Sequence, residues 1–205
     1  LQVEHGITEA VTGVDLVEWM VKQAAGELPS LTTFTIKPQG VAIQARIYAE
    51  NAAKNFQPCC GTLTTVEFPQ SCRVETWVEN GTELSAFYDP MIAKMIVHAP
   101  TRDAAVTNLL TALNETSLYG IETNLNYLKQ IISNDVFQKG QVSTQFLSQL
   151  TYLANTLDVF DPGTQTTVQD YPGRLGYWNV GIPPSGPIDP LAVRLANRVV
   201  NNPEH

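Results

Sequence analysis

The first question is which side chains of this 205-residue sequence could do chemistry. Ser185 and Asp189 are the types found in an acyl hydrolase, but Pro184-Ser185-Gly186 lacks the strand-turn-helix setting that exposes a nucleophilic serine. His5 and His98 stand without a Cys, His or carboxylate at metal-ligand spacing, so no metal site is expected and ordinary hydrogen bonding is. The cysteines are odd in number, and the adjacent Cys59-Cys60 pair and Cys72 fit neither a zinc site nor a disulfide framework. They are expected to be reduced packing residues. Glu4 and Arg46, taken by themselves, have the character of solvated surface groups.

Three blocks change that reading. Leu1-Gln2-Val3-Glu4-His5 precedes Thr8-Glu9 and Gly13-Val14-Asp15-Leu16-Val17-Glu18-Trp19; Ala45-Arg46-Ile47-Tyr48-Ala49-Glu50 follows, and then Tyr88-Asp89-Pro90-Met91-Ile92-Ala93-Lys94. In this order and spacing, from Leu1 to about Leu150, the sequence resembles the biotin carboxylase family, which has an ATP-grasp fold followed by a C-terminal domain. The resemblance implies ATP activation of bicarbonate as carboxyphosphate, its collapse to CO2, and carboxylation of a biotin ureido nitrogen. Glu4 then matches the general base, a role that needs a base of matched pKa within hydrogen-bond reach. Gln2 and the Val3 backbone match groups that hold bicarbonate. Arg46 matches the arginine that binds biotin and stabilises its enolate oxygen, for which a permanently charged fork of donors is suited.

Gly6 departs from much of that family, which has Pro there, and agrees with the urea carboxylases. Lys94 is not expected to carry biotin, because Ala93-Lys94-Met95 lacks the preceding Met of the attachment turn and lies in an apolar strand pattern. The carrier lysine is expected elsewhere in the parent chain. The chain opens at Leu1 without Met and closes at Pro203-Glu204-His205, so both ends read as cut. The ATP and Mg machinery is expected before Leu1, and the chain alone is expected to be inactive.

The elements that must position these residues can be read from periodicity. Thr12 to Ala25 repeats apolar residues at helical spacing, with Thr12 and Asp15 placed like a capping box and Gly26 as a stop. Leu28 to Gly40 reads as a connection. Val41 to Glu50 alternates, with Val41, Ile43, Ala45, Ile47 and Ala49 on one face and Gln44, Arg46, Tyr48 and Glu50 on the other, so Arg46 leaves the core side. Further strands are expected at Gly61 to Phe68, at Cys72 to Val78 before an Asn80-Gly81 hairpin signal, and at Met91 to His98. Helices are expected over Thr101 to Asn114, Asn124 to Ser133 and Thr144 to Leu153. Strands followed by helices imply an α+β class.

After Asn155 come turn clusters at Asp161-Pro162-Gly163, Tyr171-Pro172-Gly173 and Ile182 to Pro187, then a helical pattern from Asp189 to Val200. Asp161 to Asp170, Gly173-Arg174, Gly176-Tyr177, Pro183-Pro184-Ser185-Gly186, Asp189-Pro190 and Leu195-Ala196-Asn197-Arg198 resemble the opening of the second allophanate-hydrolase subunit, a cyclophilin-like barrel family. A biotin carboxylase C-terminal domain running into such a segment is the arrangement of the urea carboxylases. The expected domains are therefore 1–36, the end of an ATP-grasp domain; 37–154, a biotin carboxylase C-terminal domain; and 155–205, the start of a carboxyltransferase barrel. The implied activity is ATP- and biotin-dependent carboxylation of urea to allophanate, with bicarbonate, urea and a biotin carrier domain as partners and a homodimer formed through the carboxylase region. Acyl-CoA or pyruvate carboxylase, or a non-catalytic dimerising scaffold, are the alternatives.

Composition narrows the class further. The chain is 43% hydrophobic and 16% charged, as globular proteins are. A net charge of −8 with only 12 Lys and Arg argues against nucleic acid, and no apolar run is long enough to span a bilayer. A cytoplasmic location is expected.

Overall fold

The computed structural model describes residues 1–28, 30–154, 159–161, 163–164, 171–200 and 202–204. The chain divides into two compact units, Leu1–Asn155 and Thr156–His205. The first begins with α1 (His5–Thr12), α2 (Leu16–Ala25), β1 (Val41–Tyr48), β2 (Glu50–Asn51), β3 (Gln57–Pro58), β4 (Gly61–Thr62) and β5 (Thr65–Glu67). It continues through β6 (Arg73–Thr76), β7 (Glu83–Leu84), β8 (Met91–Ala99), α3 (Arg102–Glu115), β9 (Ser117–Tyr119), α4 (Leu125–Ser133), α5 (Asp135–Gln138) and α6 (Phe146–Gln149). The α+β class stands.

One sheet organises this unit. Its order is β1-β8-β6, and both neighbours of β8 run antiparallel to it. Because side chains alternate across a strand, one face collects Ala45, Ile47, Ala93, Met95 and Val97, which form a single core cluster with Ala105, Leu109, Ala112 and Leu113 of α3. Ile47, Met95, Leu109 and Leu113 are fully buried, each worth about 1.5–3 kcal/mol of transfer free energy. Thr101 starts α3 by accepting the Ala104 N–H on its hydroxyl. The other face of the sheet lies under α1, where Gly6 is buried and a Cβ would overlap the Ile96 side chain.

Several expected elements are broken up. The helix read over Thr12 to Ala25 begins only at Leu16, as α2, where Asp15 caps it through the Glu18 N–H; Thr12 instead ends an unexpected helix, α1, which Gly13 at φ +72° terminates in the left-handed conformation. Thr12 belongs to the first helix and donates to the Thr8 carbonyl, so it takes no part in a capping box. The strand over Val41 to Glu50 stops at Tyr48, where the register against β8 shifts. Gly61 to Phe68 splits into β4 and β5, which pair with β7 and β9. Asn80-Gly81 forms a turn, but the strands beside it, β6 and β7, pair elsewhere, so it closes no hairpin. The Thr144 to Leu153 helix shortens to α6.

In the second unit the described residues contain a helix, α7 (Pro190–Val199), whose first turn is capped by the Asp189 carboxylate accepting the Ala192 N–H. Asn155, Pro162 and the stretch Gln165 to Asp170, on which part of the tail resemblance rests, lie outside the described residues. Among the described residues, no helix is long and apolar enough to cross a membrane.

Candidate functional site

The antiparallel registers Arg46↔Lys94 and Glu75↔Lys94 put three charged residues in one row across β1, β8 and β6. Directly opposite residues on neighbouring strands share a face, so all three point to the side covered by α1. The next row, Gln44, Ile96 and Arg73, continues it. The segment Gln2-Val3-Glu4 passes over this row just before α1 begins. A turn fixes it, with the His5 N–H donating to the Gln2 carbonyl at 3.1 Å and His5 Nδ1 2.8 Å from the same oxygen.

Two strands hold this segment. Arg46 Nη2 donates to Glu4 Oε2 at 3.4 Å, joining residues 42 apart in sequence. Lys94 Nζ donates to the Val3 carbonyl at 3.2 Å and pairs with Glu75. Glu75 also pairs with Arg73, and Arg73 reaches Glu9 of α1 at 2.7 Å. Burial would raise the Glu75 carboxyl, but its hydrogen bond from Lys94 and the charges of Arg73 and Lys94 outweigh that and hold it below the usual carboxylate value.

The two pairings differ in kind. The Glu4 and Arg46 side chains are 55% and 39% exposed and meet at a loose distance. Such a pair contributes only about 0–1 kcal/mol to stability. Both side chains also present donors and acceptors to solvent beyond this bond. Lys94 is buried, with its ammonium engaged by the Val3 carbonyl and the Glu75 carboxylate.

Structure thus brings Glu4 and Arg46 together, with Gln2 and Val3 beside them and exposed. Three residues of the arrangement were not picked out from sequence. Lys94 and Glu75 are one pair; a charged residue inside an otherwise apolar strand pattern was the available signal. The third is Asn124, buried against the free edge of β1, where its amide donates to the Arg46 carbonyl at 3.1 Å and accepts the Tyr48 N–H at 2.9 Å. His5 is also less isolated than its spacing suggested: a helical turn places it beside Glu9, and donor atoms of His5, Glu9 and Glu75 lie within 4.8 Å of one another. Arg73 and Lys94 already neutralise both carboxylates, leaving little local charge to draw a cation.

Residues 44–149 match the family model of the biotin carboxylase C-terminal domain. The chain is 52% identical over 202 residues to urea amidolyase of Saccharomyces cerevisiae, which covers 98% of this chain and 11% of that protein. The solved structure of Kluyveromyces lactis urea carboxylase superimposes with a TM-score of 0.84 at 52% identity, over 97% of this chain and 18% of that one. Methylcrotonoyl-CoA carboxylase subunit alpha of Rattus norvegicus is 43% identical over 73% of this chain and 21% of its own length. The chain spans about a tenth of the length of the urea amidolyase and about a fifth of that of the methylcrotonoyl-CoA carboxylase subunit. A family match over more than half the sequence, on a fold whose solved relatives superimpose closely, means that the chain belongs to the biotin carboxylase C-terminal domain family.

Proposed function

We propose that this chain supplies part of the carboxylating site of a biotin-dependent urea carboxylase that uses ATP and bicarbonate to convert urea to allophanate. The observation that carries this is the Glu4–Arg46 pair, assembled from two distant segments yet left half-exposed. Glu4 serves as the base that takes the bicarbonate proton, with Gln2 and the Val3 backbone holding the anion. Arg46 faces the ureido oxygen of biotin and stabilises charge developing on it. Biotin, when bound, supplies the ureido nitrogen that accepts the carboxyl group.

The residues present fit bicarbonate and a ureido ring, since an acceptor and an uncommitted fork of donors stand together. They do not fit a nucleotide triphosphate with magnesium, because Arg73 and Lys94, the other cations here, are held by Glu9 and Glu75. ATP and Mg binding belongs to other parts of a polypeptide of the relatives' length, as does the biotin carrier. Within this chain, 1–36 ends the nucleotide-binding domain, 37–154 is the C-terminal domain through which two copies pair, and 155–205 opens a cyclophilin-like carboxyltransferase barrel. A cytoplasmic enzyme fits this reading.

Urea is favoured over an acyl-CoA by coverage: identity to the urea enzyme runs through nearly the whole chain, whereas the methylcrotonoyl-CoA relative matches 73% of it. The test uses the full-length enzyme and follows bicarbonate-dependent ATP turnover. Urea should stimulate it and acetyl-CoA should not, and Glu4→Gln should lower it about 10²–10⁴-fold, the usual contribution of a positioned base. Stimulation by acetyl-CoA alone rejects the urea assignment; a fully active Glu4→Gln enzyme rejects the site.

A further inference from the structure

Lys94 has no role in the chemistry just described, and its surroundings ask for one. It is a buried lysine in the middle of β8, flanked by the apolar Ala93 and Met95. Moving an ammonium out of water costs several kcal/mol unless it is paired and hydrogen-bonded, and an apolar residue of similar length would fill the same space without that cost. Two contacts set its position. Glu75, opposite it on β6, fixes the ammonium from one side. On the other, Nζ donates to the Val3 carbonyl, 91 residues away in sequence.

We infer that Lys94 is a positioning residue for the proposed carboxylating site: with Glu75 as its anchor, it holds the Val3 carbonyl and so sets where Gln2, Val3 and Glu4 lie above Arg46. The registers explain why the placement works. Arg46 and Lys94 are directly opposite on neighbouring strands, and Val3 and Glu4 are successive residues, so two adjacent strands grip two adjacent residues. One grip is a loose, exposed ion pair with a side chain; the other is a buried bond to the backbone. The backbone bond fixes the segment, and the side-chain pair is left free to exchange its partner for a ligand. The Gln2–Val3 region is exposed; the turn to His5 sets its local shape, and the contacts from Lys94 and Arg46 tie it to the sheet.

This inference rests on the bicarbonate reading of Gln2, Val3 and Glu4, and the experiment separates the two. In the full-length enzyme, bicarbonate-dependent ATP turnover is measured with free biotin as acceptor, using Lys94→Met, Lys94→Arg, Glu75→Gln and Glu4→Gln. Misplacing a substrate-holding segment by an ångström costs up to about 10²-fold. Lys94→Met should therefore raise the KM for bicarbonate about tenfold or more while the KM for ATP stays within about twofold. Lys94→Arg, which keeps charge and donors, should recover part of the loss, and Glu75→Gln should give a smaller change in the same direction.

A purely structural lysine would lower the melting temperature without moving the bicarbonate KM of the folded enzyme, and that result overturns the inference. If Lys94→Met does not fold, Lys94→Arg and Glu75→Gln carry the test by the same criterion. Should Glu4→Gln retain turnover, the site itself fails and this inference with it. Should Glu4→Gln abolish turnover while the Lys94 and Glu75 variants keep their bicarbonate KM, only the positioning role is lost.

Discussion

The two faces of the β1-β8-β6 sheet are built from the same strands by opposite rules. On the α3 side, Ala45, Ile47, Ala93, Met95 and Val97 lie in a core with almost no exposure, and any apolar side chain of the right volume would serve. On the α1 side, one step along each strand, Arg46, Lys94, Glu75 and Arg73 form a charged array linked to Glu9, Glu4 and the Val3 carbonyl. The apolar face holds the fold together and tolerates substitution by volume. The charged face depends on geometry, because its buried ion, Lys94, is tolerable only with its partners in place. Strand β8 serves both faces at once, which ties the placement of the site to the packing of the core.

The comparison predicts different failures on the two sides. Leu109→Ala, on the α3 side, deletes a fully buried side chain and should destabilise the first unit by about 2–5 kcal/mol, through lost burial plus the cavity left behind. Denaturant unfolding should show it as a lower midpoint with an unchanged slope. Wild-type stability in that variant would mean that α3 can collapse onto the sheet, and the contrast between the faces would weaken. Asn124→Ala acts at the edge where the two faces meet. It leaves the Tyr48 N–H without its acceptor and the Arg46 carbonyl without its donor, a cost of about 1–3 kcal/mol. It should also loosen Arg46, so that biotin-dependent turnover in the full-length enzyme falls by more than the loss of folded protein explains. A variant less stable but equal in turnover per folded molecule would make Asn124 a purely structural residue.

Much of the apolar face was legible in sequence. The alternation in Val41 to Glu50 put Arg46 off the core side, and the helical period placed α3 and α4, because period is a property of one segment at a time; Ala112 and Tyr127, also buried in those helices, depend on the packing partner. Boundaries were less legible. The apolar spacing begins at Leu16, where α2 starts, while α1 before it was not anticipated and ends at Gly13 in the left-handed conformation. The partners of β4 and β5 were equally hidden, since the Asn80-Gly81 signal is local and strand pairing is not. Of the site, the Glu4 and Arg46 positions came from family resemblance; their approach to 3.4 Å came from the fold. Lys94 and Glu75 were missed because their meeting depends on the register of β6 against β8, which neither sequence segment encodes alone.

The smallest predicted effect is pH dependence, and it sharpens the contrast because the apolar face has nothing to titrate. Burial pushes Glu75 up, while the Lys94 hydrogen bond and the charges of Arg73 and Lys94 bring it below its ordinary value of 4.5 in the folded chain. A carboxyl with a depressed folded pKa contributes stability above its unfolded pKa, and that contribution disappears as pH falls through the folded value. Stability of the first unit should therefore drop as pH is lowered from about 5, and Glu75→Gln should flatten the drop by on the order of 1 kcal/mol, the scale of a partly exposed ion pair. Glu50 has the opposite sign: burial and then Asp89 raise its carboxyl, so its contribution is present at low pH and lost as pH rises. Glu50→Gln should leave the acid limb slightly steeper. Unfolding midpoints across pH 3 to 7 in the two variants measure both slopes. Equal slopes in wild type and Glu75→Gln would show that the Lys94–Glu75 contact is not maintained in solution, and that the charged face is held by α1 packing alone.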